Sequence, residues 1–377
     1  MANIFKKIHH LKKWKKILLI WFIIMACIGG GLSWRLYQNF FRSNINKSLL
    51  KPEFIYIPTG SKYNDVLSIL DKNDLLINRT TFLWLAKELD YPDHIKPGKY
   101  KIEPNMSNFK LIKMLRSGAQ TPVHLVVGKY RLNHQFRVFV AKNLEPDSIA
   151  LQNSFDTVFA NLKIDTTDHF KDMTGYIIPN TYEFWWNVSP SKFWRTMLAE
   201  YKKFWNPNRK MLAQQIGLTP YQATILASIV DEETAMEDEK PTIAGVYLNR
   251  FRKNIPLQAD PTVRFALHDF TIKRILFGHL KIESPYNTYK IKGLPPGPIC
   301  IPSTKSIDAV LNAEKNDFMF FCAKEDFSGY HNFAATFEEH QANAKKYQKA
   351  FVDKFILHKI DSTKNKDFDS LKNKTAN

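Results

Sequence analysis

Three consecutive carboxylates, Asp231, Glu232 and Glu233, close the run "ATILASIVDEET" (223–234). A carboxyl group works as a general acid when its surroundings hold its pKa near neutrality, and an apolar environment does so by disfavouring the charged form. Helical spacing tells the three acids apart. Ile225, Leu226, Ile229 and Val230 recur at i, i+3 and i+4 as an apolar stripe, and Glu233, four residues after Ile229, continues it. Asp231 follows Ala227 and Glu232 follows Ser228, on flanks that reach water. A glutamate held against a core keeps its proton at neutral pH and can deliver it to a glycosidic oxygen, as the acid of lysozyme does. The alternative is a helix that simply ends in a solvated acid cluster running on through Glu237, Asp238 and Glu239.

The elements that must position this glutamate can be read from pattern. The stretch 221–236 predicts a helix. Upstream, Phe54 and Tyr56 alternate before a Pro-Thr-Gly turn, and Val66, Leu67, Ile69 and Leu70 then recur at helical spacing. A second helix is expected over 79–89, a strand over 98–102, and a third helix over 107–118, with Ser107 as its N-cap and Gly118 as its stop. These make a small α+β module over 51–122. An intermediate region follows over 123–204, then a mixed α/β domain over 205–352, and a polar tail over 353–377 that lacks periodicity and reads as disordered.

The N-terminus adds a location. A basic segment, residues 1–16 with "KKIHHLKKWKK", precedes an uncharged apolar run from 17 to 34–35, long enough to cross a ~30 Å hydrocarbon core as a helix. Positive flank before span predicts a single pass with the N-terminus cytoplasmic and the remainder outside the inner membrane, in the periplasm. A cleaved signal peptide is the competing reading, but the run exceeds a usual signal core and no small-residue cleavage site follows. Residues 36–50 read as a polar stalk. The formal charge of +18 alone would admit nucleic acid, anionic lipid or an acidic polymer as partner. Export removes nucleic acid and leaves membrane lipid.

Only three cysteines occur, Cys27, Cys300 and Cys322, without metal-ligand spacing; Cys27 reads as a small buried hydrophobe, and whether Cys300 and Cys322 pair is left open. There is no phosphate-cradling glycine loop and no nucleophile elbow. No metal and no cofactor is expected.

Three long segments carry a resemblance: "SIVDEETAMEDEKPTIAGVYLNRFRKNIPLQADPTVRFAL" (228–267), "SPYNTYKIKGLPPGPICIP" (284–302) and "FFCAKEDFSGYHNFAATFEEHQAN" (320–343). They resemble, in order, the catalytic domain of the MltG (YceG-like) endolytic murein transglycosylases. The resemblance implies an anchored enzyme that cuts nascent peptidoglycan glycan strands, with wall synthases as further partners and a LysM-like module at 51–122 that binds or orients glycan. It also implies that the catalytic glutamate is the one directly before threonine, here Glu233 before Thr234. The chain departs from the family pattern at Thr174 and Asn180, where acids are usual, at Ile301-Pro302-Ser303, and at His340-Gln341.

Other motif positions fit a cleft around Glu233. Gln258, Asp260 and Thr262 offer hydrogen-bonding groups beside the rigid Pro261, while Tyr286, Asn287, Thr288 and Tyr289 supply amides, hydroxyls and rings suited to sugars. His331 is a further candidate contact, with a hydrogen-bonded structural histidine as its alternative. "GLPPGPI" reads as a rigid wall, since Pro and Gly set backbone rather than move protons. A lytic transglycosylase needs one glutamate, acid first and base second, because the sugar's own C6 hydroxyl attacks. A water-using muramidase needs a second carboxylate across the bond, for which Asp260 is the candidate. A third reading is a non-catalytic glycan-binding scaffold, in which Glu233 is dispensable.

Overall fold

The computed structural model describes residues 2–46, 51–160 and 172–357. The chain divides into two compact units, one formed mainly by residues up to His124 and the other mainly by residues from Leu125 onward.

In the first unit, helix α1 (Ala2–Phe41) contains a segment, Lys13–Phe41, that is long and apolar enough to cross a membrane, its most apolar 18 residues having a mean hydropathy of 2.2. Cys27 is exposed on it, not buried, because no protein among the described residues covers the apolar stretch around it. After α1 come strand β1 (Glu53–Ile57), helices α2 (Tyr63–Lys72) and α3 (Arg79–Glu88), strand β2 (Gly98–Ile102) and helix α4 (Asn108–Ser117). Strands β1 and β2 pair antiparallel with Ile55 opposite Tyr100. The alternation of β1 buries Ile55 and Ile57 and turns Phe54 and Tyr56 outward. Ser107 caps α4 by accepting from Lys110 N–H at 3.3 Å, and Gly118 ends it with φ 74°, a left-handed conformation in which a glycine escapes the Cβ clash.

The expected stalk is not free-standing at its described end. Asn44 N–H donates to the Met106 carbonyl at 3.1 Å, Asn46 N–H to Leu75 at 2.8 Å, and Ile45 is fully buried among the module's core residues. Burying an isoleucine side chain stabilises by roughly 1.5–3 kcal/mol, more than a polar tether would gain in water. Residues 47–50 of that segment lie outside the described residues.

Strand β3 (Val123–Val126) leads into the second unit, which begins with α5 (Asn133–Asn143) and α6 (Ser148–Ala160). After strand β4 (Thr181–Phe184), whose end belongs to the first unit, come α7 (Pro190–Phe204), α8 (Pro207–Gln215), α9 (Pro220–Glu233), α10 (Lys240–Arg252), α11 (Asp260–Ala266) and α12 (Thr304–Leu311). The chain ends in a hairpin of β5 (Phe320–Ala323) and β6 (His331–Ala334), then α13 (Phe337–Phe351) with a π-helical turn, Val352–Leu357. The first residues of the expected tail are thus helical, and the rest of it, from 358 on, lies outside the described residues. Most of 123–204 clusters with the later helices in this one unit rather than standing apart.

Helix α9 is the axis of the second unit. Thr219 and Gln222 cap its start reciprocally, at 3.2 and 3.0 Å, and Pro220 occupies the first turn, where its missing N–H costs nothing. It packs against α8, α10, α11 and α12, and Tyr221 and every residue from Ala223 to Val230 are buried. The amphipathic reading is therefore corrected: Ala223, Thr224, Ala227 and Ser228 face protein as the stripe does, their small side chains letting neighbouring backbone approach.

Candidate active site

The buried surround of α9 changes the meaning of its last turn. Asp231 and Glu232, expected on wet flanks, have side chains only 4% and 7% exposed. Lys129 lies 2.6 Å from Asp231 and 3.2 Å from Glu232, Arg131 reaches Glu232 at 2.8 Å, and Lys240, 4% exposed, reaches Asp231 at 3.2 Å. The Ser303 hydroxyl donates to Asp231 at 2.8 Å and Ser306 donates to the same oxygen. Burial alone would raise the Asp231 pKa, but the bonds from Lys129, Ser306 and Ser303 outweigh it and hold the group at about 2. Two anions at the C-terminal end of a helix oppose its dipole, and these cations offset that opposition.

Glu233 is different. Among the described residues it has no cation in a salt bridge; it lines a cleft of about 450 Å³ with Tyr247, Arg250, Gln258, Asp260, Tyr289, His331 and His340. Tyr247 donates its hydroxyl to Oε1 at 2.5 Å, which leaves Oε2 to carry the proton. Burial pushes the Glu233 pKa up to about 7, against a lowering by the Tyr247 hydrogen bond and aided by the negative charge of Asp260. A carboxyl poised there is protonated often enough to act as an acid and ionised often enough to act as a base.

The cleft walls are set by a few buried polar groups. Arg250, 5% exposed, donates to the carbonyls of Pro256 and Met319 at 2.9 and 2.8 Å and to Gln258 Oε1 at 2.5 Å. Tyr289 donates to Asp260 Oδ1 at 2.6 Å. Glu239 is not part of a solvated acid cluster: it is 7% exposed and accepts from the His331 backbone N–H at 2.7 Å. Its other oxygen meets His331 Nδ1 at 2.9 Å, and as an acceptor it selects the Nδ1–H tautomer and leaves Nε2 for the cleft.

Of the candidate contacts, Gln258, Asp260, Tyr289 and His331 join Glu233 in this cleft. Thr262, Asn287 and Thr288 do not, and are corrected: each is 0% exposed with its polar atoms engaged inside. Thr262 and Thr288 hydroxyls meet at 2.8 Å, Thr288 Oγ1 accepts from Ala259 N–H at 3.0 Å, and Asn287 donates to the Leu280 and Ile282 carbonyls at 2.9 Å. They fasten the loops that present Gln258, Asp260 and Tyr289. Tyr286 lines a neighbouring hollow of about 250 Å³ beside Phe265 and Asp172. Thr174 is buried and donates to Asp172 at 2.5 Å, and Asn180 is spent on the Thr181 N–H at 2.8 Å. The "GLPPGPI" wall is anchored to α9, with Ile299 N–H donating to Ser228 Oγ at 3.0 Å. Cys300, buried, and Cys322, on the cleft, are both free thiols. Among the described residues no group of three or more His, Cys, Asp or Glu side chains gathers as metal ligands would.

Tyr247, Arg250 and Glu239 were missed. A signal existed for two of them: Tyr247 and Arg250 share a face of α10 with Ile243 and Val246, a polar pair on an otherwise apolar stripe.

Because Tyr247 stabilises the carboxylate more than the acid, Tyr247→Phe is expected to move the alkaline limb of the kcat/KM profile, set by Glu233 near pH 7, to higher pH, with a rate loss of about tenfold at the optimum. A limb that moved to lower pH would contradict this arrangement.

The model of the YceG-like family matches residues 55–346, a span that includes every cleft residue named above. A Bacillus subtilis protein named endolytic murein transglycosylase is 28% identical over 348 residues, covering 85% of this chain and 91% of that protein. One of the same name from Streptococcus pneumoniae serotype 2 is 26% identical over 319 residues and 77% of this chain, which spans 57% of that longer relative. A crystal structure of a YceG-like protein from Listeria monocytogenes matches with a TM-score of 0.53 at 27% identity, over 77% of this chain and 98% of that one.

Proposed function

The chain belongs to the YceG-like family, and on that premise we propose that it is a membrane-anchored lytic transglycosylase of peptidoglycan, cutting within glycan strands and leaving 1,6-anhydro-N-acetylmuramic acid ends. The observation that carries this reading is Glu233: a carboxyl on the cleft, with a pKa pushed to about 7 by burial and one oxygen held by Tyr247. Glu233 Oε2 gives its proton to the glycosidic oxygen as the bond to C1 breaks. The resulting carboxylate then takes the proton of the C6 hydroxyl as that oxygen bonds to C1, so the acid is restored and no water is consumed. The attacking hydroxyl belongs to the same sugar, which gives it a large proximity advantage over solvent. His331, Gln258 and the Asp260–Tyr289 pair are assigned to holding the sugars on either side.

Asp260 supports a second reading, since it lines the same cleft and could activate water as a muramidase requires. Its bond to the Tyr289 hydroxyl favours a sugar-positioning role over that of a free base.

The apolar segment Lys13–Phe41 is the proposed anchor, with the basic N-terminal flank inside and the catalytic unit outside. The first unit is proposed to contact glycan as a LysM-like module, and wall synthases as neighbours. Carbonate-washed membranes are expected to retain the full-length chain, and the retained chain is expected to shorten long glycan strands to a broad distribution of internal fragments. Release of single disaccharides from strand ends would refute endolytic cutting, and a soluble chain starting near residue 35 would refute the anchor.

A further inference from the structure

Strands β5 and β6 pair with Phe321 opposite Phe333 and Ala323 opposite His331. Just beyond them, Lys324 N–H donates to the Tyr330 carbonyl at 2.9 Å, which fixes the alternation. In an antiparallel pair every second residue bonds across, so Cys322 faces β6 while Phe321 and Ala323 turn their N–H and C=O groups the other way. The partner strand agrees: His331, opposite Ala323, turns its N–H outward on the far side, where Glu239 takes it at 2.7 Å. That edge of the two-stranded sheet is thus capped at His331 by a carboxylate.

The other edge borders the cleft. All four β5 residues line it, whereas of β6 only His331 does. Arg250, itself a cleft residue, takes the Met319 carbonyl just before β5 at 2.8 Å, and beyond that point the outward groups of Phe321 and Ala323, on the cleft wall, have no hydrogen-bond partner among the described residues. Phe321 packs on Tyr247 on one side of the strand and Phe320 stacks on His340 on the other, so the edge is held rigidly between α10 and α13.

We propose that this edge binds the peptide stem carried by the glycan, as a third, added strand; the proposal rests on the lytic transglycosylase reading above and names a further part of that substrate. The outward N–H and C=O groups of two residues, two apart on the wall of the cleft proposed to take the glycan, offer main-chain hydrogen bonds to amides of the peptide that the glycan carries. Sugar hydroxyls need no such register, and main-chain pairing at an open edge is a recurrent way of holding peptides irrespective of their side chains.

Ala323→Pro tests this selectively, because it removes an N–H that β6 does not use, and proline is tolerated at such an edge position. Ala323→Ser keeps the N–H. Each variant is assayed on peptide-bearing glycan and on the same glycan stripped of peptide by an amidase. The ratio of the two kcat/KM values is expected to fall about tenfold for the proline variant, the worth of one good hydrogen bond, and to hold for the serine variant. Equal losses on both glycans, or no change in the ratio, would overturn the proposal. As a second readout, amide hydrogen exchange at residues 321 and 323 of a Glu233→Gln chain is expected to slow with peptide-bearing glycan and not with stripped glycan; equal exchange in both would also overturn it. A wild-type chain that cleaves neither glycan would sink the lyase reading, and the exchange measurement would still decide the edge.

Discussion

Glu233→Gln is expected to lower the cleavage rate by about a thousandfold or more while the protein still folds and still binds glycan, because the amide keeps the shape and the Tyr247 contact but carries no transferable proton. The same substitution has a stability signature with a definite sign. The Glu233 pKa is raised from 4.5 to about 7 in the folded protein, so the native state is favoured below the unfolded value and loses that advantage as pH rises through 7. Above pH 7 the wild type carries the cost of a poorly solvated carboxylate, and the glutamine variant does not. Urea unfolding at pH 8 should therefore show the variant more stable by on the order of 2 kcal/mol, with the difference vanishing near pH 4. A variant that is inactive and equally stable at both pH values would mean that Glu233 is not held in the environment described here.

Asp231→Ala is expected to have the largest effect on folding. Its carboxylate is shared by Lys129, Lys240, Ser303 and Ser306, and removing it leaves the buried Lys240 paired, among the described residues, with the half-exposed Glu237 alone. Breaking a buried ion pair from one side costs about 3–5 kcal/mol, since the remaining charge stays desolvated. The Asp231 pKa is depressed to about 2, so its contribution is present above the ordinary carboxylate range and is lost as pH falls through 2. The gap between wild type and variant should thus be full at pH 7 and narrow steeply below pH 3. A loss under 1 kcal/mol at pH 7 would show that the network is solvated after all. Glu232, held by Arg131 and Lys129, belongs to the same network, so a change there reads out the helix end rather than an exposed surface.

What the sequence disclosed and what it hid follow one physical line. The helix of 108–117 between Ser107 and Gly118, and the strand 98–102, are written in local chemistry: a hydroxyl cap, a left-handed glycine, alternating side chains. The phase of α9 is local too, and it puts Glu233 on the side where the cleft lies. Its neighbours were misjudged because their partners are remote in the chain. Arg131 is 101 residues from Glu232, and Ser306 is 75 from Asp231. A helix wrapped on all sides has no wet flank, and periodicity cannot report that when its remaining faces are built from Ala, Ser and Thr. Thr262, Asn287 and Thr288 were misplaced for the converse reason: polar residues in a loop suggest ligand contact, yet loops that must be rigid consume their own hydrogen bonds.

In the proposed mechanism Glu233 acts without a second catalytic carboxylate, and the ends of the product report on this directly. Peptidoglycan digested by the full-length chain in heavy-oxygen water is expected to yield 1,6-anhydro-N-acetylmuramic acid ends by mass spectrometry, with no heavy oxygen incorporated. Reducing ends that carry the heavy oxygen would contradict the account and make Asp260 a catalytic partner of Glu233.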